Sequence, residues 1–145
     1  MRVADVMTKE VVTACADATI RDVAELMAKN NVGTVIITDR DGRLEGLVTD
    51  RKLVTDCIAK GCDPSASRID EIMTGKLPGP LGLATATPDM DILDAAKQLG
   101  QRHVRRMPVV EDGGRVVGVL SEADLADEVK EAVDGLLEEI SKAEK

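Results

Sequence analysis

The sequence predicts a mixed α/β fold of the α+β kind, built from two copies of a β-α-β-β-α unit with a helical extension at the C-terminus. Three observations carry this expectation. First, the chain repeats itself: residue i set against residue i+72 pairs Asp17, Ile20, Asp22 and Ala24 with Asp89, Ile92, Asp94 and Ala96. The register holds through Val32, Gly42, Arg43, Gly46 and Leu53, giving nine identities in the 37 positions from 17 to 53 without a gap, which marks a duplication. Second, apolar residues at helical spacing alternate in each copy with β-branched runs closed by Asp/Gly turns. Third, 145 residues with 43% hydrophobic content suffice for a sizeable core.

A short strand opens each copy, at residues 11–14 and 83–85. A helix follows with Asp17 or Asp89 near its start. In the first copy Ile20, Val23, Ala24, Met27 and Ala28 recur at spacings of three and four, and Ile92, Ala95, Ala96 and Leu99 repeat that stripe in the second. Two strands come next, at 34–38 and 43–48 around Asp39-Arg40-Asp41-Gly42, and at 106–110 and 115–120 around Glu111-Asp112-Gly113-Gly114. A second helix spans 50–60 and stops at Gly61; its counterpart starts near 122. That last helix runs long, because Leu125, Val129, Val133, Leu136, Leu137 and Ile140 form one stripe past Gly135. Such a stripe needs cover, either from its own domain or from a second subunit. Ahead of the repeat the register changes: Met7-Thr8 matches Met73-Thr74 at an offset of 66, so the second copy carries six extra residues. They fall in 77–83, where Pro78, Gly79, Pro80 and Gly82 predict an extended connector. The expected units are residues 1–62, 63–128 and 129–145.

With 19 basic and 27 acidic residues, the net charge of −8 repels phosphate backbones and anionic lipids. Phe, Tyr and Trp are absent, which removes the stacking platforms of single-strand binders and the interfacial belt of membrane proteins. Neither a nucleic acid nor a membrane is expected as a partner. No apolar run approaches the ~18 residues of a span, and Met1-Arg2-Val3-Ala4-Asp5 opens no signal-peptide core, so a cytoplasmic location is expected. Cys15, Cys57 and Cys62 are odd in number and irregular in spacing, and are read as reduced thiols.

The chemistry-bearing pattern closes the third strand of each copy: Gly118, then Ser121 three residues on, then Asp124 three further. Ser121 occupies an N-cap position, where its hydroxyl and exposed backbone N–H groups suit a phosphate, and Asp124 can accept from vicinal hydroxyls. A ribonucleotide asks for that combination. The alternative is a capping box in which Ser121 and Asp124 only cap each other's backbone. Arg102, His103, Arg105 and Arg106 cluster in this otherwise acidic chain, which points to an anion nearby. The competing reading is a solvated helix end with cations on its negative pole.

The duplicated pattern, with Asp5-Val6-Met7-Thr8, Gly46-Leu47-Val48-Thr49-Asp50-Arg51-Lys52-Leu53, Val104-Arg105-Arg106-Met107-Pro108-Val109-Val110 and 118–125, resembles a tandem pair of cystathionine β-synthase (CBS) domains, the Bateman module. The resemblance covers residues 1 to about 128 and is to small stand-alone bacterial two-CBS proteins. It implies two units related by a pseudo-twofold, a homodimer, and clefts between the copies that in many members bind AMP, ADP, ATP or S-adenosylmethionine. Carried over, Ser121 contacts phosphate or ribose and Asp124 holds the ribose hydroxyls; Gly118, His103, Arg105 and Arg106 are further ligand-binding candidates, and the sequence does not assign the basic cluster to one cleft. In the first copy Thr49 matches the hydroxyl, but Lys52 stands where the family pattern has Asp or Asn. An ammonium cannot accept from ribose. Losing one or two charged hydrogen bonds of ~1.5–3 kcal/mol each weakens that cleft by roughly one to several powers of ten. One competent cleft and one degenerate cleft are therefore expected, with Arg51 and Lys52 free to reach phosphates instead.

Cys15, Cys57, Cys62 and His103 add up to a Cys₃His zinc set, but no C-x₂-C pair is present and scattered small buried residues are the commoner arrangement. A Cys or Ser nucleophile with His103 as base lacks an orienting motif such as G-x-S-x-G. The expected function is thus a non-catalytic regulatory module, with no cofactor required and an adenine nucleotide or S-adenosylmethionine as regulatory ligand. Its output passes to a separate effector protein. The alternative is a nucleotide-free scaffold that serves dimerisation and partner binding.

Overall fold

Ile20, Val23 and Met27, at i, i+3 and i+7, are all buried, and they set the face that α2 (Ile20–Asn30) lays on a sheet. This computed structural model describes residues 1–75, 83–102 and 104–143. At the N-terminus of α2, Thr19 Oγ1 accepts from Asp22 N (3.0 Å) and Asp22 Oδ2 accepts from Thr19 N (3.3 Å), a closed capping box. Asn31 ends the helix in the left-handed region at φ 52°. The N-terminal α1 (Val3–Val6) precedes β1 (Thr13–Cys15), which lies parallel to β2 (Thr34–Thr38). Antiparallel β3 (Leu44–Thr49) follows, and β4 (Thr74–Gly75) closes the order β1-β2-β3-β4. The β2–β3 turn is held by Asp39 Oδ1, which accepts from Asp41 N and Arg43 N at 2.9 Å each.

The helix expected at 50–60 is only partly α-helical. It starts as α3 (Asp50–Lys52) and continues as a π-helix over Leu53–Ile58 before turning at Gly61, φ +76°. Thr55 Oγ1 donates back to Arg51 O at 3.1 Å, and a hydroxyl bonded to the preceding turn competes with the helical ladder. The turn also corrects the expectation of three reduced thiols. Cys62 N donates to Cys57 O (3.0 Å), the Cα atoms are 4.9 Å apart, and the two residues are joined as a disulfide. The expectation weighed secreted frameworks and metal spacings, and neither pattern covers a pair five residues apart across a helix stop. Cys15 is free and exposed.

The second copy repeats the plan with one reduction. The strand expected at 83–85 contracts to a parallel bridge of Ala86 with Val109. Helix α4 (Ile92–Arg102), strands β5 (Arg106–Val110) and β6 (Val116–Ser121) and the long α5 (Glu122–Ala143) complete it. Antiparallel β5 and β6 carry an irregularity at Val109/Val110, the counterpart of the one at Ile37/Thr38. Of the connector expected at 77–83, residues 77–82 lie outside the described residues. Beyond the repeat, Leu137 and Ile140 are 57% and 56% exposed, so packing on its own domain does not cover the end of the α5 stripe.

The segments that lead into each copy cross over. Val3 belongs to the core of the second copy with Ala95, Leu99, Met107 and Leu120, and Ile69 to that of the first with Ile20, Val35 and Val48. The contacts are equivalent: Val3 N donates to Met90 O (2.8 Å) and Ile69 N to Ala18 O (2.8 Å). At the centre Leu44 N donates to Gly114 O (2.8 Å) and Val116 N to Gly42 O (3.0 Å), and Arg43 pairs with Arg115. This reciprocity is a pseudo-twofold axis. A third core of Ile36, Leu44 and Leu47 with Val11, Leu83, Val116 and Val119 joins the copies along it.

Candidate functional site

Strand β6 delivers Ser121 to the N-terminus of α5, where Ser121 Oγ accepts from Asp124 N (3.1 Å) and Asp124 Oδ2 accepts from Ser121 N (3.0 Å). The capping box weighed from the sequence is therefore present. It leaves the carboxylate with further lone pairs, since an ionised Asp offers about four acceptor sites. Ser121 and Asp124 line a cavity of about 320 Å³ together with Thr8, which pairs with Val119 of β6, and with Val12, Gly33 and Thr34 of the first copy. Arg106 reaches the same cavity from the start of β5, and Glu10 adds a second carboxylate.

A second cavity, about 610 Å³, occupies the position that the pseudo-twofold generates from the first. Thr49 and Lys52 stand for Ser121 and Asp124, Thr74 for Thr8, and Arg106 for Thr34. Here the box is half formed: Lys52 N donates to Thr49 Oγ1 at 3.4 Å, with no acceptor to return from Lys52. The Lys52 ammonium turns to Ile72 O (2.9 Å) and to Asp56 Oδ2 (3.6 Å). Among the described residues, Arg51, Arg105 and Arg106 line this cavity with Lys52, against the one carboxylate of Asp50.

A model of the CBS domain matches this chain twice, at residues 3–57 and 69–131. The chain belongs to the CBS domain family. This CBS pair is 33% identical over 124 residues to the CBS domain-containing protein YhcV of Bacillus subtilis, covering 86% of this chain and 82% of that one. Other relatives are longer, with the alignment covering 60% of one and 22% of another. Among solved structures, the CBS domain pair of MJ0100 in complex with 5′-methylthioadenosine and S-adenosyl-L-methionine superposes with a TM-score of 0.78, at 26% identity over 91% of this chain and 98% of that one. The protein PAE2072 of Pyrobaculum aerophilum, complexed with AMP, gives 0.75 at 28% identity over 86% and 90%.

Of the residues selected from the sequence, this CBS pair gathers Ser121, Asp124 and Arg106 at one cleft and Thr49, Arg51, Lys52, Arg105 and Arg106 at the other. Gly118 lines neither; it faces Met7 and Thr8 across the sheet. His103 lies outside the described residues. Of the Cys₃His set, Cys57 and Cys62 are bonded to each other and supply no thiolate. Sequence reasoning missed Thr34, which lines both clefts and whose Oγ1 is buried without a hydrogen-bond partner among the described residues. Aligning position 34 with 106 in the repeat was the signal that could have found it. A third cavity, about 850 Å³, runs between α4 and α5 along Ala96, Leu99, Gly100, Leu125 and Ala126.

Proposed function

We propose that this CBS pair is a non-catalytic regulatory module that binds an adenosyl ligand, AMP, ADP, ATP or S-adenosylmethionine, in the cleft at Ser121 and Asp124. The observation that carries the reading is a carboxylate fixed by Ser121 N beside a cavity of ligand size, with Arg106 on its rim for a phosphate or carboxylate. Aliphatic Val11 and Val12 offer an apolar bed for a base in a chain without aromatic residues. The complexes of MJ0100 and PAE2072 with adenosyl compounds support the ligand class. Because the ligand spans the two copies, its binding biases their packing, and a separate effector protein reads that change. The module is a cytoplasmic homodimer in this reading. Among the described residues no helix is long and apolar enough to cross a membrane.

The second reading, a scaffold without nucleotide, is favoured by the closed capping box and the apolar α4–α5 groove. Isothermal titration with each of the four ligands separates the two. The expected result is one ligand per chain, with affinity reduced about tenfold or more in Asp124→Ala through loss of a charged acceptor. Asp124→Asn retains an acceptor for Ser121 N, so a melting curve close to wild type shows that the loss is local. No heat for any ligand, with no rise in melting temperature where ~100 Kd of ligand adds ~2.7 kcal/mol, leaves the scaffold.

A further inference from the structure

The two clefts share a plan and oppose each other in charge. Around Asp124 the described residues of the cavity carry two carboxylates, Glu10 and Asp124, and one cation, Arg106. Around Lys52 the described residues carry four cations, Arg51, Lys52, Arg105 and Arg106, and one carboxylate, Asp50, in a chain whose net charge is −8. That carboxylate is partly engaged, since Asp50 Oδ1 accepts from Arg51 N at 2.8 Å. The ammonium of Lys52 donates one hydrogen bond to Ile72 O and lies 3.6 Å from Asp56 Oδ2, which leaves two of its three donors for a ligand. Arg51 and Arg106 have no ion pair among the described residues. Arg105 has only a 3.8 Å contact with Glu122, both side chains well exposed, an ion pair that solvent screens and a ligand readily displaces. Cations gathered in one cavity repel each other until an anion joins them.

We propose that the Thr49 cleft is a site for a condensed phosphate chain of two or three phosphoryl groups, either free or as the tail of a nucleotide. Arg51 and Lys52 approach the chain from the first copy and Arg105 and Arg106 from the second, so the anion ties the copies together. Guanidinium forks suit adjacent phosphoryl oxygens, and the Thr49 hydroxyl donates a further hydrogen bond. With no carboxylate at position 52, recognition does not run through ribose. The proposal deepens the ligand reading of the Ser121 cleft and can fail separately from it.

Inorganic triphosphate, which carries no adenosine, tests the site directly. The expected result is one triphosphate per chain, unaffected by Asp124→Ala and not displaced by adenosine. Arg51→Ala and Arg105→Ala, both on exposed side chains, each weaken it about tenfold. Lys52→Asp abolishes it and, where its melting curve shows a folded chain, adds a second AMP per chain. ATP binding to the Asp124→Ala protein in competition with triphosphate identifies a nucleotide tail as a source; triphosphate binding without such competition identifies the free anion. No triphosphate binding, loss of binding in Asp124→Ala, or equal displacement by sulfate at matched ionic strength overturns the proposal. AMP binding is read in the same titrations and reports on the Ser121 cleft alone.

Discussion

At Gly46 an added Cβ would lie 2.7 Å from Met73 Sδ and 2.8 Å from Thr74 O; at Gly118 it would lie 2.7 Å from Met7 Sδ and 2.9 Å from Thr8 O. The sulfur can swing aside, but the carbonyl belongs to a paired backbone: Thr74 to β3, and Thr8 to Val119 by 2.9 Å bonds in both directions. Gly46→Ala and Gly118→Ala are therefore each expected to cost about 1–3 kcal/mol through overpacking. Chemical denaturation with an unchanged m-value checks this, and full stability in both variants sinks the account. The identity of Gly46 and Gly118 was legible in the repeat, but its cause was not. Position 118 read as part of a ligand motif because it precedes Ser121 by three, whereas the Met7-Thr8 segment that crowds it comes from the opposite end of the chain. The contrast between an acceptor at Asp124 and a donor at Lys52 was legible, because it depends on side-chain chemistry alone, whereas the turn of the Lys52 ammonium to Ile72 O and Asp56 depends on the fold.

The elements carried by short-range pattern were read well. β2 and β5 fall at the expected residues, α4 follows its stripe, and α5 starts at Glu122 and runs long, as expected. What the pattern did not reveal was the state of the helix after β3, since periodicity at this length does not separate α from π winding and does not show a disulfide across its end. Cys57 is fully buried in the first core and Cys62 is half-buried. A bond over five positions restricts the unfolded chain by about 2 kcal/mol in the loop-entropy account. Reduction is accordingly expected to lower the melting temperature by about 4–8 °C, with the change absent in Cys62→Ala. Thiol titration of the unfolded chain checks the bond: one free thiol before reduction, three after. Three thiols before reduction would remove the bond from the molecule and restore the reading of three reduced cysteines.

At the scale of the whole molecule, the pseudo-twofold joins the two copies through their sheets and leaves helices on the outside. Their outward positions are not polar throughout: Val54 and Ile58 in the first copy are 57% and 60% exposed, and Leu93, Leu137 and Ile140 in the second are 67%, 57% and 56% exposed. The groove between α4 and α5 lies on the second-copy side of this surface. Leu137 and Ile140, three residues apart on α5, share one exposed helix face, and paired exposed apolar side chains of this kind suit a binding face. A second copy is the occupant we propose, because an isologous contact lets one such face cover another. Burying a Leu or Ile side chain contributes about 1.5–3 kcal/mol, and each residue counts twice across a twofold. Leu137→Glu with Ile140→Glu is therefore expected to raise the dimer dissociation constant by several powers of ten, leaving the fold of each chain unchanged because both side chains are exposed. Sedimentation velocity over a concentration series measures this, with circular dichroism as the control on folding. A wild-type chain that sediments as a 15.4 kDa monomer at every concentration would remove the second copy from that face. Any signal from the clefts would then have to leave the molecule through the relative packing of the two copies in a single chain.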